Sequence, residues 1–176
     1  MYSVFPDGEI DDPDMEQLEE LLHVLDHQFA HNIKNRKQTH PPLQNVYWDR
    51  LSYIAGLGFV MCQQYINITY PTDGFNRKDA LEMPPKHLSG YSVAQLINTI
   101  ANNWKHYQED VDYPFGSLNK STIKTLEDLG LSIEAPFICE LVLDRIVETE
   151  INPFTKILGL LNEWRGNLIK NANKRL

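Results

Sequence analysis

Residues 43–68 read LQNVYWDRLSYIAGLGFVMCQQYINI, a long and largely apolar run. Apolar side chains recur at helical spacing but on more than one face, as in a helix surrounded by other helices. Gly56 and Gly58 each cost about 1 kcal/mol against alanine in a helix interior. Their presence points to places where a neighbouring helix comes close. The stretch therefore predicts the central core helix of a bundle.

Thr39-His40-Pro41-Pro42 breaks the chain before this helix. Upstream, Met15, Leu18, Leu22, Leu25, Phe29 and Ile33 follow at steps of three and four, a clean amphipathic stripe. Its helix should open near Asp12 or Asp14, with Pro13 in the first turn and Asp14 and Gln17 at capping-box spacing. Residues 1–12 form an extended acidic N-terminal segment with Pro6, Gly8 and four acids. Downstream, residues 70–74 make a turn, and the connection to Gly90 has room for one helical turn over residues 77–83. That connection supplies Arg77, Lys78, Lys86 and His87. A connection of this length is either functional or mobile. A helix over residues 91–110 follows, then a loop over residues 110–120. Ser121 caps a short helix that Gly130 ends, and Pro136 opens another. Asn152 caps a final helix with Pro153 in its first turn. That helix carries Phe154, Ile157, Leu158, Leu161, Trp164, Leu168 and Ile169 on one side. No segment alternates with a period of two, so the reading is all-α. It describes one helical domain over residues 13–176, a bundle of about five main helices with short extra helices.

Composition narrows the function classes. A net charge of −8 argues against a nucleic-acid-coating protein, whose footprint is basic. It leaves open an RNA-acting enzyme with a local basic patch. Cys62 and Cys139 lie far apart within apolar runs, the placement of free buried thiols in a cytosolic protein. The N-terminus is acidic and short of apolar residues, unlike a signal peptide. The most apolar window, residues 53–62, is too short to cross a bilayer. A soluble, cytoplasmic protein without membrane contact is expected. No motif calls for a cofactor.

Two clusters carry candidate chemistry. On the first helix His23, His27 and His31 stand at four-residue spacing with Asp26 among them. Such a row could take zinc or nickel through neutral imidazoles. It lies nearly opposite the apolar stripe, so a solvated or partner-facing surface is the competing reading.

The second cluster is in residues 91–110, YSVAQLINTIANNWKHYQED. Val93, Leu96, Ile97, Ile100 and Trp104 form the apolar stripe. Thr99, Asn103 and His106 run along one edge, with Asn102 one turn before His106. A histidine beside carboxamides, with Glu109 and Asp110 following, has the parts of a general acid or base. Lys105 could supply charge and Trp104 a stacking face. The alternative is that Asn103 and His106 satisfy backbone groups of a neighbouring loop. No nucleophile or metal motif stands beside this histidine.

The run Ala101-Asn102-Asn103-Trp104-Lys105-His106, late in a helix of an all-α chain, resembles the signature helix of HEPN-type domains. It is also similar to small bacterial proteins with an "aNxxKHxxE"-like run. The HEPN motif is an arginine, a polar residue, a spacer and a histidine. His106 matches the histidine and Asn102 the polar residue. The arginine would fall at Ala101 and is absent. The resemblance covers about residues 14–110, with C-terminal helices over about 121–175.

It implies a bacterial, homodimeric protein that is either a metal-independent endoribonuclease or a non-catalytic module. Such proteins occur in toxin–antitoxin and phage-defence systems, with RNA or a protein as partner. For an enzyme it implies catalysis by His106 with Asn102 and Asn103, and substrate contacts from Lys105, Trp104, Arg77 and Lys86. Because the arginine and histidine of ribonuclease members pair across a dimer, its loss favours the interaction role.

Overall fold

The computed structural model describes residues 2–4, 10–107, 120–132, 135, 137–149 and 151–174. The central helix is α2, Gln44–Thr69, and it packs on α1 (Pro13–Gln38), α4 (Val93–Tyr107) and α6 (Ile138–Val147). Leu51, Ala55, Phe59, Cys62 and Ile66 of α2 are wholly buried. A Cβ built on Gly56 would lie 2.1 Å from Cδ1 of Trp104 in α4. One built on Gly58 would lie 2.2 Å from Cε1 of Phe154 in α7 (Pro153–Ala172). Both glycines thus make room for rings of neighbouring helices, as their place in a core helix predicted.

The described residues also include α3 (Arg77–Leu81) and α5 (Lys120–Asp128), giving an all-α bundle. The other described strands are two-residue pieces, β1 (Ser3–Val4) and β2 (Ile10–Asp11), paired antiparallel. The predicted stripe of α1 is buried in full, from Met15 to Ile33. Asp12 is its N-cap, accepting from the Met15 N–H at 3.1 Å. The other Asp12 oxygen accepts from the Tyr65 hydroxyl at 2.7 Å and from the Arg165 guanidinium. One buried carboxylate therefore joins the start of α1 to α2 and α7.

Burial alone would raise the Asp12 pKa, but hydrogen bonds from Tyr65, Arg165 and the Met15 backbone hold it below the usual carboxylate value. Burial, together with Asp12, pushes the Tyr65 phenol well up. Burial likewise raises the thiols of Cys62 and Cys139 to about 12, so both are inert core residues.

Several local expectations are corrected. Asn152 stands at the start of α7 with φ +47° and makes no capping hydrogen bond. The cap comes instead from Asp26 of α1. Its carboxylate accepts from the Phe154 N–H at 2.8 Å, the Thr155 N–H at 2.9 Å and the Thr155 hydroxyl at 2.6 Å. Helix α5 begins at Lys120, so Ser121 lies inside its first turn rather than before it. Gly130 does end it, at φ +71° with its N–H donating to Glu127 O. Pro136 lies outside the described residues, and α6 opens at Ile138. The connection between α2 and α4 is well tied. Asn76 caps α3, and Ser92 and Gln95 form a reciprocal capping box at the start of α4. No described helix is long and apolar enough to cross a membrane.

Candidate functional site

The polar end of α4 divides three ways around the helix. Ile97, Ile100 and Ala101 face the core, wholly buried. Asn103 joins that side, 7% exposed, and its Oδ1 is buried without a hydrogen-bond partner among the described residues. Trp104 sits over Gly56, edge-on to Tyr53 with ring centroids 5.5 Å apart. These two residues of the run are packed against the bundle. His106, in the last turn, is exposed. Glu109 and Asp110 lie outside the described residues, so the carboxylates expected beside His106 have no described position.

The third side of α4 holds a polar network that centres on Gln63 of α2, 3% exposed. Gln63 Nε2 donates to Asn98 Oδ1 at 2.9 Å and to Asn102 Oδ1 at 2.8 Å. Gln63 Oε1 accepts from Lys105 Nζ at 2.8 Å. Asn98 Oδ1 also accepts from the Arg77 guanidinium at 2.8 Å. Asn98, Asn102 and Lys105 share one helix line at steps of four and three, which brings all three to Gln63. A buried carboxamide with its oxygen and nitrogen both engaged is the satisfied state that burial demands.

The structure therefore joins Asn102, Lys105 and Arg77, and leaves the other predicted site residues elsewhere. Lys86 pairs through its backbone with Ser92, at the opposite end of α4 from His106. The helical rise separates those ends by about 20 Å. Gln63 and Asn98, the two residues that organise the network, had no place in the sequence reading. Their signal was the spacing Asn98-x3-Asn102-x2-Lys105 facing a glutamine inside an apolar run.

The histidine row also has an identifiable setting. His23 lies 3.5 Å from Glu19 Oε1 and 3.4 Å from the Thr155 hydroxyl, and His31 pairs with Asn35 at 2.8 Å. Asp26 is turned away from the row into the α7 cap. Among the described residues no group of three or more His, Cys, Asp or Glu side chains could hold a metal ion. His87 lines a separate cleft of about 620 Å³ with Ser89, Asp128, Asp144, Arg145 and Glu148. Its Nδ1 accepts from the Ser89 N–H at 3.1 Å, so the ring proton is on Nε2, 3.2 Å from Arg145 O. That ring bridges its own loop to α6.

Comparison with known proteins finds no family model, no curated protein and no solved structure that matches this chain.

Proposed function

We propose that the protein is a HEPN-like bacterial interaction module, non-catalytic and homodimeric, acting as a regulator or partner in a toxin–antitoxin or phage-defence setting. The observation that carries the non-catalytic part is the direction of the motif side chains. Asn102 and Lys105 point their polar atoms at Gln63, Trp104 fills the space above Gly56, and Asn103 is buried. A run so engaged in packing holds the bundle together and does not gather its groups around His106 as a catalytic centre.

The self-association surface we assign is the outer face of the α1–α2 hairpin. A groove of about 590 Å³ runs between the helices, lined in part by Gln28 and His31 from α1 and Arg50 and Tyr53 from α2. Leu21 and Val24 continue the α1 row, and Val46 continues the α2 row, at steps of three and four. Leu21, Val24, Val46 and Tyr53 are 46%, 59%, 48% and 55% exposed, an unusual concentration of apolar side chains on one face. Sedimentation of the purified chain at micromolar concentration should give a dimer. Val24→Glu and Tyr53→Glu should each shift it to monomer with helical content unchanged. A monomeric wild type would remove the self-association half of the proposal.

A second reading, endoribonuclease with His106 as general acid or base, has one observation in its favour. Arg77 reaches the motif helix through Asn98, although the motif position itself is Ala101.

A further inference from the structure

We infer that the edge formed by α3 and α4 binds a small phosphate monoester through Arg77, Lys78, Asn98, Asn102 and Lys105. Such a site is independent of the interaction role. The atoms of the network that face inward determine which ones face outward. Arginine and lysine can only donate, so the Asn98 atom meeting Arg77 and the Gln63 atom meeting Lys105 must both be oxygens. Gln63 then has only its NH₂ to offer Asn102, which must answer with its own oxygen. The amide orientations are fixed by the two cations and cannot be flipped singly.

With every side-chain oxygen of the stripe turned toward Gln63 or Arg77, only donors remain on the outside. These are the NH₂ groups of Asn98 and Asn102, four guanidinium N–H bonds of Arg77 and two ammonium hydrogens of Lys105. Among the described residues neither asparagine NH₂ has a hydrogen-bond acceptor, and both residues are half-buried. A line of donors held by a buried glutamine is a preorganised seat for an oxyanion.

Charge sets the class of anion. Among the described residues no carboxylate forms an ion pair with Arg77, Lys78 or Lys105. Asp79 accepts from Asn76 at 2.9 Å in the α3 cap, while Glu82 shares the adjacent cleft. Three cations against Asp79 and Glu82 leave one net positive charge, the sign that draws a phosphoryl group. The cleft, about 360 Å³, is lined by Arg77, Lys78, Leu81, Glu82, Gln95 and Asn98. Leu81 and Gln95 offer a short organic body one apolar and one hydrogen-bonding wall. A polyanion fits less well, because the chain as a whole carries −8 and would repel it.

The test uses the full chain, titrated with glycerol 3-phosphate and with inorganic phosphate by amide NMR at low salt. Glycerol 3-phosphate should bind saturably, at one site on α3 and α4, and more tightly than inorganic phosphate. Asn98→Asp is the decisive variant. It keeps the oxygen that serves Arg77 and Gln63 but replaces the outward NH₂ with a charged oxygen, and should weaken binding at least tenfold. Arg77→Gln, at an exposed position, should weaken it by about the same factor with the circular dichroism spectrum unchanged. Absence of saturable binding, or unchanged affinity in either variant, would overturn the site. Equal affinity for the two probes, or tighter binding of a ten-nucleotide single-stranded RNA, would overturn the small-monoester assignment.

Discussion

Replacing Gly58 with alanine tests the core geometry, because helix propensity and packing predict opposite signs. In a helix interior the change favours the folded state by about 1 kcal/mol. Here the new Cβ would stand 2.2, 2.8 and 3.0 Å from three atoms of the Phe154 ring. Phe154 is wholly buried, edge-on to Phe29 at 5.8 Å, and its own N–H is held by Asp26. The ring is fully enclosed, so overpacking of about 3 kcal/mol, at the upper end of the usual range, is expected. The net loss is about 2 kcal/mol, or roughly 4–8 °C in Tm for a chain of this size. Gly159→Ala in α7 is the control, since nothing lies within 4 Å of its added Cβ. It should gain up to about 1 kcal/mol. Urea and thermal unfolding of both variants measure the difference. If Gly58→Ala proves as stabilising as Gly159→Ala, α2 and α7 do not pack as described.

Two further predictions concern carboxylates. Asp26→Ala removes three hydrogen bonds from the start of α7 and leaves buried N–H groups unpaired, for a loss of about 2–4 kcal/mol in urea unfolding. A loss below about 0.5 kcal/mol would mean that α7 finds its cap elsewhere. The Asp12 pKa is depressed in the folded protein, so the unfolded state takes up its proton first as pH falls. Its contribution is fully present above about pH 3.8, the ordinary carboxylate value, and is lost as pH drops through the lower folded pKa. Acid unfolding should therefore be shallower below pH 4 in Asp12→Asn than in the wild type, and parallel profiles would refute this role.

The parts of the fold that were legible in the sequence are those set by periodicity and local steric demand. The Met15–Ile33 stripe, the many-sided apolar pattern of α2 and the paired glycines each depend on residues within one helix. The misread features depend on partners far along the chain. Asn152-Pro153 looks like a local cap, but the acceptor is Asp26, 128 residues from Phe154, and no local signal marks it. At the site, spacing placed Asn102 near His106, whereas Asn102 turns to Gln63 on another helix. Gln63 itself read as one polar residue in an apolar run. Its meaning appeared only when Asn98, Asn102, Lys105 and Arg77 converged on it. His106, prominent as a titratable residue in a polar run, lies on a line that leads to the surface.

The claim that the Asn102–His106 run builds structure rather than cleaves RNA is tested most directly by a metal-free cleavage time course. Wild type and His106→Ala, both verified as folded, would be incubated with single-stranded and structured RNA in the presence of chelator. Neither protein should turn over RNA beyond the buffer control. Cleavage by the wild type that disappears in His106→Ala would contradict it.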